Sequence, residues 1–168
     1  MRRPVPQTPG PGQESVWDYP RPPLLERTTS VVEVVLGGLV VARTADALRV
    51  LETSHPPTYY LPRSCFAPGS LRPAEGASLC EWKGQAAYLD VVGGASGEKV
   101  APRAAWHYPT PTAAYAEILD HVALYPGAMD RCTVDGEVVE AQPGGFYGGW
   151  VTSRVVGPFK GDPGTMFW

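Results

Sequence analysis

The apolar residues of this chain run in short β-branched clusters rather than in long helical stripes. VVEVVL (residues 31–36), Gly37-Gly38 and LVVAR (39–43) read as two strands joined by a two-residue turn, because a type I′ turn needs positive φ at both central positions. Thr44 followed by ADALRVLE, with Ala47, Leu48 and Leu51 at helical spacing, predicts a short helix capped by Thr44. HPP ends it, since His55 and Pro56 each precede a proline and are pushed out of the α region. TYYLP (58–62) predicts a strand. GQAAYLDVV (84–92) alternates loosely up to Gly93-Gly94, and VAPRAAWHY (100–108) reads as its hairpin partner. Pro102 favours an edge position there, because it cannot donate to a ladder. A helix is expected from Pro111 to Leu119, with Thr110 as its cap. ALYP, DRCTV and EVVEA add short strands, the last two joined by Asp135-Gly136 in a type I′ turn. The pattern predicts a mainly β chain with short helices and no repeat of fixed period.

The first 13 residues carry four prolines and no apolar anchor, which predicts a flexible tail. From residue 14 to 168 the chain reads as a single β-rich domain. The 19 glycines and 19 prolines punctuate it, and 43% hydrophobic residues suffice to close a core, which excludes global disorder. A net charge of −3 leaves no basic excess to neutralise phosphates, so nucleic acid is not an expected partner. The longest apolar run, Val31 to Ala42, carries Glu33 and two glycines and falls far short of the ~20 residues of a membrane span, so no membrane partner is expected. MRRPVPQTPGPGQ lacks the apolar region of a secretory signal. Cys65, Cys80 and Cys132, odd in number and widely spaced, fit free thiols in a reducing compartment, and a cytoplasmic location is expected.

Known chemical signatures are mostly missing. No C-x-x-C pair offers zinc-ligand spacing, so neither a metal nor another cofactor is expected. GGASGEK (93–99) lacks the spacing of a phosphate loop and is followed by a strand, which makes it a hairpin turn. There is no G-x-S-x-G or H-E-x-x-H, and Ser54 beside His55 is only a pair of sequence neighbours. LCEWKG (79–84) has two readings. Lys83 can present its ammonium near an aromatic face and activate a nearby Cys80, while Gly84 admits a close approach. Alternatively Cys80 is buried, Trp82 packs and Lys83 is solvated. The aromatics Tyr59, Tyr60, Tyr88, Trp106, Tyr108, Tyr147 and Trp150 divide between filling a β core and lining a ligand cleft.

SVWDYPRPP, LETSHPPTYYLP, CEWKGQAAYLDV, AAWHYPTP and FYGGWVTSRVVGPFKG, in this order, resemble the domain of unknown function 427 family over about residues 14–164. One departure is Glu81, where the family often has proline. The resemblance implies small antiparallel sheets in a β-tent (Mss4-like) architecture, here without zinc knuckles. A nucleotidyltransferase label sometimes given to such proteins is not adopted, since Gly69-Ser70 is followed by LRPAEGAS and no D-x-D occurs. Within these motifs SVWDYPRPP is expected to be an ordered strap in polyproline II, with Trp17 and Tyr19 inserted into the domain; the alternative is an exposed P-x-x-P ligand at Pro20 to Pro23. The functional expectation is a small-molecule-binding β domain, or an enzyme built on one. Its cleft would comprise Glu52 and His55 for acid/base work, Lys83 for an anionic group, and Tyr60, Cys80, Tyr88 and Trp106 as ligand-binding residues. The alternative is a noncatalytic protein-interaction module with an aromatic surface.

Overall fold

A computed structural model describes residues 3–168. The strands are β1 (Glu14–Ser15), β2 (Leu24–Thr28), β3 (Val32–Leu36), β4 (Leu39–Thr44), β5 (Ala47–Leu51), β6 (Thr58–Pro62), β7 (Leu71–Cys80), β8 (Gly84–Gly93), β9 (Lys99–His107), β10 (His121–Leu124), β11 (Arg131–Val134), β12 (Glu137–Val138), β13 (Glu140–Ala141), β14 (Trp150–Val151) and β15 (Val155–Val156). A seven-stranded antiparallel sheet has the order β2-β5-β6-β10-β9-β8-β7, and a four-stranded one the order β12-β11-β3-β4. Two small ribbons, β13-β14 and the parallel pair β1-β15, complete the mainly β fold.

The seven-stranded sheet is apolar on both faces, and alternate residues of each strand serve different clusters. On one face Tyr59, Leu61, Leu89, Val91, Val122 and Leu124 pack against Val32, Val34, Leu36, Cys132 and Val134 of the four-stranded sheet. On the other face Leu48, Val50, Tyr60, Ala86 and Ala123 gather with Tyr108, Tyr115 and Ile118. Two-sided burial explains the first correction. The predicted helix after Thr44 is strand β5, lying between β2 and β6. Its buried Ala47, Leu48, Val50 and Leu51 serve both faces, so the period-2 signal is erased and a helical spacing is left by accident. Thr44 does accept a hydrogen bond from Asp46 N, at 3.0 Å, but in a turn between strands.

Both predicted glycine-containing hairpin turns form: Gly37 and Gly38 have φ of 62° and 77°, and Asp135 and Gly136 have 48° and 82°. The 93–99 segment turns between β8 and β9. Pro102 corrects a second expectation, because β9 lies inside the sheet between β10 and β8. A register shift between Leu89 and Val91 leaves Pro102 in a bulge, where no ladder donor is needed. The helix expected at 111–119 is instead a pair of 3₁₀ turns over Ala113–Ile118, broken at Tyr115. The N-cap position falls on Thr112 rather than on the expected Thr110, and Thr112 donates its hydroxyl to Trp82 O at 2.6 Å, which fastens the segment to the β7–β8 turn.

The N-terminal motif packs along the edge of the domain. Ser15 Oγ accepts from Trp17 N at 3.3 Å and winds Val16–Asp18 into a 3₁₀ turn, so extended backbone resumes only at Tyr19. Val16 and Tyr19 are buried with Leu51 and Val155, and Trp17 Nε1 donates to Pro158 O at 2.9 Å. Arg49 anchors the strap from beneath, reaching Glu14 at 2.8 Å and Glu26 at 2.6 Å. Of the expected tail 1–13, Met1 and Arg2 lie outside the described residues. Gln7 exchanges two hydrogen bonds with Gly157, and Gln13 Nε2 donates to Ser153 O.

Candidate functional site

The second face of the seven-stranded sheet carries a cavity of about 410 Å³, within the range of small-molecule sites. Glu52, His55, Tyr60, Cys80, Lys83, Tyr88 and Trp106 all line it. They arrive from different places: Tyr60 from β6, Tyr88 from β8, Trp106 from β9, Cys80 and Lys83 from the β7–β8 turn, and Glu52 and His55 from the segment after β5. Alternation places Tyr60 here and its neighbours Tyr59 and Leu61 in the other core.

Lys83 is the unusual residue. It is only 9% exposed, yet its one hydrogen-bond acceptor among the described residues is Cys80 Sγ, at 3.3 Å. An ammonium carries three donors, so two are left without an acceptor among the described residues. Nζ also lies 5.7 Å from the centroid of the Tyr108 ring. Burial pulls its pKa down, but Tyr60, Cys80 and Glu52 outweigh this and leave it above the ordinary lysine value. Lys83 is therefore a fixed cation. The solvated reading of this residue is corrected: the tight turn from Cys80 to Gly84 folds the side chain inward beneath the aromatics.

His55 is held as a neutral imidazole. Gln142 Oε1 accepts from Gly149 N at 3.0 Å, which orients the amide so that Nε2 donates to Lys160 O at 2.8 Å and to His55 Nδ1 at 3.0 Å. The proton of His55 must then sit on Nε2, which faces Glu52 Oε2 at 3.6 Å. Burial, with Lys160 and Arg21 nearby, pushes its pKa down to about 4 despite Glu52. Glu52 also pairs with Arg21 at 3.2 Å. Ser54 Oγ is buried with no hydrogen-bond partner among the described residues, so Ser54 and His55 form no nucleophile–base pair.

Tyr60 is wholly buried and accepts from Trp106 Nε1 at 3.3 Å; burial raises its pKa, so the hydroxyl is neutral. Tyr88 donates to Ser78 Oγ at 3.0 Å and carries the Arg103 guanidinium over its ring at 4.7 Å. The other lining residues include Tyr108, Tyr125, Gln142, Tyr147 and Lys160, which the sequence reading did not assign to the site. Tyr147 and Lys160 lie within FYGGWVTSRVVGPFKG, and its glycines were the available signal. A Cβ on Gly148 would collide with the Trp106 indole, and one on Gly149 would come within 2.5 Å of Gln142 Oε1. The glycine pair thus lets this loop close against the sheet.

Among the described residues no three of His, Cys, Asp and Glu gather to hold a metal ion, and no helix is long and apolar enough to cross a membrane. Fold and site together define a two-sheet β domain with a polar and aromatic cavity on one face of its larger sheet. Residues 24–135, more than half of the chain, match the model of a family described as a domain of unknown function (DUF427), and the chain belongs to that family. The match spans all seven residues singled out above but stops before Gln142, Tyr147 and Lys160, which complete the cavity. No curated protein matches the chain.

Proposed function

We propose that the chain is a small-molecule-binding β domain whose ligand is an organic anion with a flat apolar body. One observation carries this reading: a buried ammonium, without a carboxylate partner, faces a cavity walled by tyrosines and tryptophan. A buried unpaired charge is costly, and an entering carboxylate would supply the missing acceptors through charge-assisted hydrogen bonds. Tyr88, Trp106 and Tyr108 offer ring faces for the ligand body. Proton transfer in an enzymatic version falls to Glu52, because the basic nitrogen of His55, Nδ1, is taken up by Gln142. His55 then positions Glu52, and Lys83 holds the anion. The β-tent assignment belongs to the same proposal, supported by two antiparallel sheets packed on a shared core. So does a cytoplasmic setting, supported by three free cysteines.

The test is a thermal-shift comparison of aryl carboxylates (benzoate, phthalate, nicotinate) with their neutral amides. The acids should raise the melting temperature of the wild type, the amides should not, and Lys83→Met should abolish the difference. Equal shifts by acids and amides would remove the role of the ammonium. If no small molecule of either set stabilises the chain, the interaction-module reading gains, since exposed Leu79 and Phe146 at the cavity rim would then be its contact surface.

A further inference from the structure

We propose that Cys80 is a hydroperoxide-reducing thiol, with Lys83 acting both as its proton donor and as the amine that captures the oxidised sulfur. This activity does not rest on the anion-binding reading. Sγ and Nζ stand 3.3 Å apart at the two ends of one tight turn, with Cys80 paired to Gly84 at the close of the β7–β8 hairpin. That separation is a near-attack distance for bond formation between them. Both atoms belong to side chains that line the cavity, and the aromatic walls with Leu79 and Phe146 at the rim suit an organic hydroperoxide over a purely polar one. The other two cysteines are absent from the cavity lining. Burial pushes the Cys65 thiol up to about 11 and the Cys132 thiol up to about 12, so both stay protonated and inert near neutrality.

The chemistry balances with the hydroperoxide as the sole oxidant. The thiolate of Cys80, the nucleophilic form of a cysteine, attacks the terminal oxygen of ROOH. An S–O bond forms, the O–O bond breaks, and its electron pair leaves on RO⁻. That alkoxide takes a proton from the Lys83 ammonium and departs as ROH, leaving a sulfenic acid at Cys80 and a neutral amine at Lys83. Sulfur has lost two electrons to the peroxide. The step that oxidises the sulfur therefore also generates the free amine that can attack it. Nζ then bonds to Sγ, the S–O bond breaks, and hydroxide leaves with a nitrogen-bound proton as water, closing a sulfenamide. Two external thiols regenerate the site: they cleave the S–N bond, restore thiol and amine, and become a disulfide. While the link persists, the cavity has lost its buried ammonium.

The experiment treats the reduced chain with cumene hydroperoxide and follows released cumyl alcohol, intact mass and peptide maps. The wild type should release one alcohol per chain, fall in mass by two hydrogens and yield a Cys80–Lys83 cross-linked peptide that dithiothreitol reverses. Cys80→Ser should release none. Lys83→Met should react several-fold more slowly and stop one oxygen heavier, at a sulfenic acid that dimedone traps. The proposal is overturned by undiminished alcohol release from Cys80→Ser, by oxidation spread equally over Cys65 and Cys132, or by a wild type in which oxidised Cys80 accumulates without the link to Lys83. The wild-type mass and map decide the matter even where a variant folds poorly.

Discussion

Gly148→Ala isolates how the loop after β13 closes the cavity. Gly148 does not occupy the left-handed region, so an alanine there brings no backbone strain, and the whole effect is steric. Its Cβ would overlap Cη2 of Trp106 and stand 3.1 and 3.3 Å from Cζ2 and Cζ3. Either the loop lifts or the indole turns. Forcing an extra carbon into a packed site costs about 1–3 kcal/mol. If the indole turns, Trp106 Nε1 leaves the Tyr60 hydroxyl, and an unpaired polar atom at a fully buried residue costs a further ~1–3 kcal/mol. A loss of roughly 1–3 kcal/mol is expected if the loop lifts and roughly 2–6 kcal/mol if the indole turns, read as a lower urea midpoint by circular dichroism at unchanged slope. Gly127→Ala is the control: it has ordinary space, 3.4 Å from Ala141 Cβ, and should stay within about 0.5 kcal/mol of wild type. Shrinking the indole should relieve the clash, so Gly148→Ala combined with Trp106→Leu should fall short of the summed single losses by at least about 1 kcal/mol. A Gly148→Ala chain as stable as wild type, or strictly additive losses, would refute the close approach.

Three further outcomes are expected from the same structure. The depressed pKa of His55, about 4 against 6.5, means that the unfolded chain binds the proton first. Its stabilising share is complete above pH 6.5 and is lost as pH falls from there through 4, up to about 3 kcal/mol, so His55→Asn should flatten the stability difference between pH 7 and pH 4 in urea titrations. Deleting residues 1–12 removes few contacts beyond the Gln7 hydrogen bonds and should barely lower the melting temperature, whereas deleting through Pro23 strips Val16 and Tyr19 from the core at ~1.5–3 kcal/mol each; equal melting temperatures would contradict the strap. Arg49→Met should cost about 1–3 kcal/mol in urea, because Glu14 and Glu26 are left facing one another without their shared cation; a neutral effect would show that the strap is held by Val16 and Tyr19 alone.

Local chemistry alone determined the hairpin at Gly37-Gly38 and the turn at Asp135-Gly136, because positive φ at consecutive positions selects particular residues whatever surrounds them. It also pointed to the strap and to the motifs carrying Glu52, His55, Tyr60, Cys80, Lys83, Tyr88 and Trp106, since glycines, prolines and aromatics stand out against an ordinary β pattern. Tertiary structure decided the rest. Strand β5 looked helical because a strand buried on both faces loses its alternation, and only its place between β2 and β6 reveals why. Pro102 looked like an edge residue because a bulge is a relation between two strands, invisible along one. The tautomer of His55 depends on a glutamine 87 positions away, itself oriented by Gly149. Lys83 is buried because a turn folds it beneath Tyr108, which lies beyond β9. Turns obey rules of adjacent residues, while charge burial, tautomer and cavity shape are properties of neighbours that the chain brings together only on folding.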